Sequence, residues 1–327
     1  MAWEIQFQHG IHLPQIGWSL DATRRAERAF VSHAHSDHMA RHAEVICTRA
    51  TARLMRARLP SKKRLEHILP FDHTEQLTPE CTVTLHPAGH IFGSAQILLN
   101  HTTHGSLLYT GDFKLLPSHS AEPCTTPRAD TLIMETTFGL PRYVFPPSAE
   151  IIAKLVTFCR ETLATGATPV LLCYSLGKSQ EVLRALADFG LPIMLQSETH
   201  RLTRICAQLG LDFPPHSEFD AATHAGHVVI CPPHAPGLLK RIAAPRTASI
   251  TGWALDSRPF HGQQHAAAFA LSDHADYPSL LRYVELVQPK RVYTLHGFAK
   301  PFAATLRALG IAAQPIGTDF QTELPLG

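Results

Sequence analysis

The sequence predicts an α/β protein in which a sheet domain is interrupted by a separate α/β lobe. Three observations carry this reading. Short apolar runs before about residue 140 each end on an acid or a histidine, strand and helix patterns then alternate, and the first texture returns after Gly262. The 327 residues suit about two domains. With 45% apolar and 17% charged residues, a sizeable core is expected and wholesale disorder is not.

In the first stretch, residues 29–32 read as a strand entering a histidine-rich loop. Residues 82–85 precede Pro87-Ala88-Gly89-His90, residues 106–109 run into Gly111-Asp112, and residues 131–134 run into Glu135. Brief strands with polar residues at their ends suit a site along one sheet edge. The pattern changes near Arg142. Residues 149–165 have helical apolar spacing, 169–174 read as a buried strand, and 178–189 as a helix ended by Gly190. A second strand–helix pair follows at 191–195 and 198–209, and 228–231 adds a strand before the lobe closes near Trp253. Such alternation predicts a parallel sheet.

No apolar run approaches the ~18 residues of a membrane span, and residues 1–9 lack the basic and apolar regions of a secretory signal. The seven cysteines are dispersed, which argues against a disulfide framework or a CxxC zinc pattern and fits a reducing, cytoplasmic setting. A net charge of +2 makes no general case for a polyanion partner. The 22 histidines raise the prospect of a metal site, since imidazole is the commonest metal ligand.

Six residues turn that prospect into chemistry: His33-Ala34-His35-Ser36-Asp37-His38, an HxHxDH motif. A shuffled chain of this composition would contain the pattern roughly 0.004 times. At a strand end, residues i and i+2 point the same way, so His33 and His35 can hold one metal. Asp37 and His38 can reach a second. His90, Asp112 and His296, each just after an apolar run, would complete a two-metal set, with the two oxygens of Asp112 bridging.

With those residues in place, the sequence resembles the metallo-β-lactamase-fold β-CASP nucleases. Glu135-Thr136-Thr137-Phe138-Gly139, His274 within Ser272-Asp273-His274-Ala275-Asp276, and His296 look like motifs A, B and C of that branch. The run from His86 to Gln96, together with Thr137–Pro141 and Leu271–Asp276, is similar to the bacterial ligase-associated DNA exonucleases, some of which are labelled mRNA 3′-end processing factors. The resemblance implies an αββα sandwich at 1–142 and 260–327, with a β-CASP domain inserted at 143–259. It implies two divalent ions, Zn²⁺ or Mn²⁺, on His33, His35, Asp37, His38, His90, Asp112 and His296. Asp37 would lie beside the attacking water, His274 would protonate the leaving oxygen, and Glu135 would orient His274. Asp21 is the candidate for the first motif's aspartate. DNA is the implied substrate, with a DNA ligase and other repair proteins as possible partners by family association.

Two further features concern substrate. Leu176-Gly177-Lys178-Ser179 looks like the end of a P-loop, but Leu172 occupies the position of its first glycine, so an ATP site is not expected. Lys178 is instead a candidate phosphate contact. Arg49, Arg53, Arg56, Arg58, Lys62, Lys63 and Arg64 form a basic run, read equally as a solvated helix face or a nucleic-acid track through Arg53 and Arg56. The leading expectation is a DNA exonuclease in bacterial repair. Its rivals are an RNA-processing nuclease of the same branch, a non-nucleolytic metallo-hydrolase such as a lactamase or thioesterase, and a metal-free scaffold.

Overall fold

The computed structural model describes residues 2–61, 63–256 and 265–317. They fall into two compact units, one holding the described residues up to Val144 and from His274 onward, the other Phe145–Asp273.

The first unit opens with β1 (Gln6–Phe7), β2 (Ile11–Leu13), β3 (Trp18–Leu20), β4 (Arg28–Phe30), β5 (Glu44–Cys47), α1 (Arg49–Arg58) and β6 (Leu65–Ile68), whose strands form one sheet in chain order. It continues with β7 (Thr74–Thr78), β8 (Cys81–Pro87), β9 (Ala95–His101), β10 (Gly105–Tyr109) and β11 (Thr131–Glu135). The chain then builds the second unit: α2 (Ser148–Ala164), β12 (Thr168–Leu172), α3 (Lys178–Ala185), β13 (Ile193–Leu195), α4 (Ser197–Gln208), β14 (Ser217–Glu218), β15 (Val228–Cys231), α5 (Pro236–Leu239), β16 (Pro245–Ile250) and β17 (Ala267–Phe269). The first unit resumes with α6 (Tyr277–Val287), β18 (Arg291–Leu295), α7 (Ala299–Ala308) and β19 (Ala313–Pro315).

Alternation of side chains decides how the first unit's layers pack. Its second sheet runs β19-β18-β11-β10-β9-β8-β7. Leu107 and Tyr109 of β10, Ile133 of β11, and Tyr293 and Leu295 of β18 join Leu13, Trp18, Phe30 and Ile46 in a core shared by both sheets. Their intervening neighbours Leu108, Leu132, Met134 and Val292 point the other way, onto Leu280, Tyr283 and Val284 of α6 and Phe302 and Leu306 of α7. That period of two is the pleat itself. In the second unit the sheet is wholly parallel, β14-β13-β15-β12-β16-β17, and packs on α2 and α3 through residues such as Leu155, Cys159, Val182 and Leu183.

The expected division at 259/260 lies outside the described residues. β17 pairs in parallel with β16 and belongs to the second unit, which runs to Asp273.

Strand direction creates the site. β10, β11 and β18 are parallel neighbours. β8 is antiparallel to β9 and β9 to β10, which makes β8 parallel to them as well. Their carboxyl ends therefore lie along one edge, and the residues that follow are His90, Asp112, His296 and, closing β11, Glu135.

Candidate metal centre

Beyond β4, the HxHxDH loop joins those strand ends. His33 Nε2 lies 2.9 Å from His35 Nδ1, and His90 Nε2 lies 3.3 Å from the same atom. Asp112 Oδ2 is 3.1 Å from His38 Nε2, 3.7 Å from His33 Nε2 and 3.9 Å from His90 Nε2. Asp112 Oδ2 thus lies between the two histidine sets. Ligand atoms of His33, His35, His90 and Asp112 all lie within 4.8 Å of one another. On the other side, Asp37 Oδ2 is 3.6 Å from His38 Nε2, and the His296 ring centroid is 5.9 Å from that of His38. Of the seven expected residues, His33, His35, His90 and Asp112 group most tightly, His38 lies against Asp112, and Asp37 and the His296 ring lie beside His38.

The donor set fits divalent cations. Only imidazole nitrogens and carboxylate oxygens converge, and so many buried lone pairs repel one another unless a cation lies between them. His33 titrates well below the usual histidine range, first because it is buried and then because His38, His35 and His90 crowd it. It is thus neutral, as a ligand must be. His38 goes the other way: burial opposes its charge, but Asp112, Asp37 and Asp21 outweigh burial and raise it well above the usual range.

Behind the ligands sits Asp21, buried, with left-handed backbone at φ 45°. Its Oδ1 accepts from the Ser32 amide at 2.7 Å, and its Oδ2 accepts from Ser32 Oγ, from His38 Nδ1 at 2.9 Å and from the Tyr109 hydroxyl at 2.9 Å. Because the Ser32 proton goes to Asp21, its oxygen accepts from His33 Nδ1, 2.9 Å away. With their Nδ1 protons so engaged, His33 and His38 both turn Nε2 toward Asp112. This outer set fixes ring orientation, as outer-shell carboxylates do in metal sites. Ser32 and Tyr109 escape a reading of the sequence. Ser32 is signalled only by its place before the motif.

Glu135 is buried and fully engaged. Its Oε1 accepts from the Phe113 amide at 3.0 Å and from His274 Nδ1 at 2.8 Å; its Oε2 accepts from the amide and hydroxyl of Thr137. The His274 ring stands 4.6 Å from that of His90, centroid to centroid. His296 holds φ 58°, strained for a residue with a Cβ, and Gly297 follows at φ 53°. A Cβ at Gly297 would lie 2.4 Å from the Thr137 Cα, so this turn against the Glu135 segment requires glycine.

Expectations about substrate contacts fare differently. Lys178 does not face solvent: it is 1% exposed, with Nζ 3.0 Å from Glu181 and 3.3 Å from Asp273. Burial opposes its charge, but the two carboxylates outweigh burial and raise its pKa. A buried, doubly paired ammonium is a structural cation of the lobe, and the phosphate role gives way. The basic run is divided. Arg56 and Arg64 both bond Glu66, Arg58 donates to the Ala34 carbonyl, and Lys62 lies outside the described residues. Arg53 and Arg56 are exposed on α1.

No protein-family model matches the chain. It is 60% identical over 326 residues to a "probable DNA ligase" of Opitutus terrae, a match covering 99% of this chain and 32% of that protein. It is also 34% identical over 134 residues to transcription termination factor FttA of Pyrococcus abyssi, covering 39% of this chain and 20% of that one. A human DNA cross-link repair 1A protein is 24% identical over 316 residues, 86% of this chain and 29% of the relative. These similarities agree with the resemblance to the β-CASP nucleases of the metallo-β-lactamase fold. The chain spans about a third of the length of the first of these relatives, and less of the other two. Among its described residues no helix is long and apolar enough to cross a membrane.

Proposed function

We propose that this protein is a two-metal nuclease that hydrolyses phosphodiester bonds of DNA, acting as an exonuclease in bacterial repair from an αββα sandwich with an inserted β-CASP lobe. The observation that carries the reading is the convergence of His33, His35, His38, His90, Asp37, Asp112 and His296 beside the Glu135–His274 pair. His33, His35 and His90 would hold one ion, Asp37, His38 and His296 the other, with Asp112 shared between them. When bound, Zn²⁺ or Mn²⁺ would acidify water and neutralise phosphate charge.

The protein's own residues do the rest. Asp37 accepts a hydrogen bond from the attacking water and aims it at phosphorus. As the new P–O bond forms, the bond to the leaving 3′ oxygen breaks, and His274 gives that oxygen the proton from Nε2. Glu135 accepts from Nδ1 and stabilises the charged imidazole from which that proton comes. Arg53 and Arg56 offer positive charge to the strand from α1.

The names of two relatives, a probable DNA ligase and a DNA cross-link repair protein, support DNA as substrate and a DNA ligase as a functional companion. RNA is the second reading, favoured by His296 at motif C and by the similarity to a transcription termination factor. End-labelled single-stranded DNA and matched RNA, incubated with the protein and Mn²⁺ or Zn²⁺ beside a His35→Ala control, separate the two. DNA cleavage lost in the control is expected. Cleavage of RNA alone, or activity that survives in the control, overturns the proposal.

A further inference from the structure

The basic run at 49–64 is only partly absorbed by a substrate role, and Arg58 is the member that departs from it. Its guanidinium Nη1 donates to the carbonyl of Ala34, 24 residues earlier and between the ligands His33 and His35. Ala34 is fully buried. A buried carbonyl left without a donor is costly, and a charged donor makes a stronger bond than a neutral one. Arg58 therefore fixes the peptide that connects two metal-binding imidazoles.

The opposite end of the same helix is tied down in a similar way. Thr48, the N-cap of α1, donates its hydroxyl to the carbonyl of Gly93 at 2.7 Å, and Thr51 donates to the same oxygen at 3.1 Å. Gly93 lies three residues beyond His90 and has φ 77°. A Cβ there would sit 2.3 Å from the Ala50 Cβ, so the loop lies hard against the first turn of α1. Its amide is held as well, by Glu122 Oε2 at 2.8 Å. Ten residues of helix, about 15 Å long, thus connect the His33–His38 loop to the His90 loop by a clamped carbonyl at each end.

We infer that α1 is a brace that sets the distance between the two ligand loops, with Arg58 and the Thr48/Thr51 hydroxyl pair as its positioning residues. The first ion's three histidines come from both loops, His33 and His35 from one and His90 from the other. A helix stiff over its length holds them at a spacing that neither loop fixes by itself. On this reading Arg58 serves the metal centre and is not part of a nucleic-acid track. The inference rests on the metal-binding reading and is independent of which nucleic acid is cut.

The test measures metal, not cleavage. Zn²⁺ affinity is read by competition with a chromophoric chelator, well below the unfolding temperature, for the wild type, Arg58→Met, Arg58→Lys, Thr51→Val and the Arg58→Met/Thr51→Val pair. Loss of an outer positioning contact weakens metal affinity by about 10–100-fold. Arg58→Met and Thr51→Val are each expected to fall in that range, Arg58→Lys to recover part of the loss, and the double variant to lose less than the product of the singles. Affinities equal to wild type in folded Arg58→Met and Thr51→Val overturn the brace. Failure of the wild type to bind Zn²⁺ overturns the metal-binding reading instead. If Arg58→Met does not fold, Arg58→Lys and Thr51→Val decide the question.

Discussion

Glu135 Oε1 lies 2.8 Å from Nδ1 of His274, a residue 139 positions further along the chain. Three other donors already hold that carboxylate, so it has no freedom to turn away from the imidazole. Glu135→Gln keeps the shape and removes the charge that favours imidazolium. Turnover should fall by about 10–100-fold, and by about 10²–10⁴-fold in His274→Ala, with bound metal unchanged in both. Single-turnover cleavage together with metal analysis checks this. Equal loss of metal and rate would place the pair among the ligands rather than in proton transfer.

Metal binding should release protons. His38 carries a raised pKa because the carboxylates of Asp112, Asp37 and Asp21 together outweigh its burial. A ligand must give up that proton, so affinity rises as the pH is raised toward and through the histidine's elevated pKa. Calorimetry of Zn²⁺ binding in buffers of different ionisation enthalpy should report net proton release. Heats independent of buffer would contradict it.

Asp21 gathers Ser32, His38 and Tyr109, so Asp21→Ala should weaken Zn²⁺ binding by about 10–100-fold. Tyr109→Phe retains the ring and removes one donor, and should show a smaller loss. Chelator competition measures both.

Lys178→Met should lower stability by about 3–5 kcal/mol, because it leaves Glu181 and Asp273 buried without their cation. Urea denaturation followed by circular dichroism gives the value. A phosphate-binding lysine would instead weaken DNA binding and leave the unfolding midpoint in place.

His42 supplies a pH-dependent term in stability. Burial pushes its pKa down to about 4, and its Nδ1 accepts from the Ala26 amide at 3.1 Å. The unfolded chain takes up this proton near pH 6.5, the folded one only near 4. The contribution is therefore complete above pH 6.5 and is lost as the pH falls from there toward 4, by up to about 1.4 kcal/mol per unit. Wild type should exceed His42→Gln in unfolding free energy at pH 7.5, and the gap should close by pH 4. A gap that is constant with pH would rule out this linkage.

Much of this architecture is legible in the sequence, for a definite reason. Residues 29–32, 106–109 and 131–134 are apolar runs that stop abruptly at polar residues, and strand ends deliver such residues to one edge. The lobe is legible because strand and helix periods alternate there, as at 169–174 and 178–189. Other parts leave no such trace. β1, β2 and β3 are two or three residues long, too short for a period to register. β17 is equally brief. Asp21 gathers partners up to 88 positions away, a relationship no local pattern encodes. Lys178 looked like a phosphate contact because a glycine precedes it at a helix start, and its carboxylate partner Asp273 lies far along the sequence.

The order of strands also bears on when the centre can exist during synthesis. β18 pairs with β11 along its whole length, yet the entire lobe is translated between them. Until β18 emerges, β11 has an unpaired edge and His296 has not been made. A chain that stalls before residue 291 therefore lacks both the last ligand and the strand that carries it. Such fragments could bind at most part of the metal complement. The order of the chain withholds a complete ligand set from unfinished chains, and the open edge of β11 exposes them to aggregation.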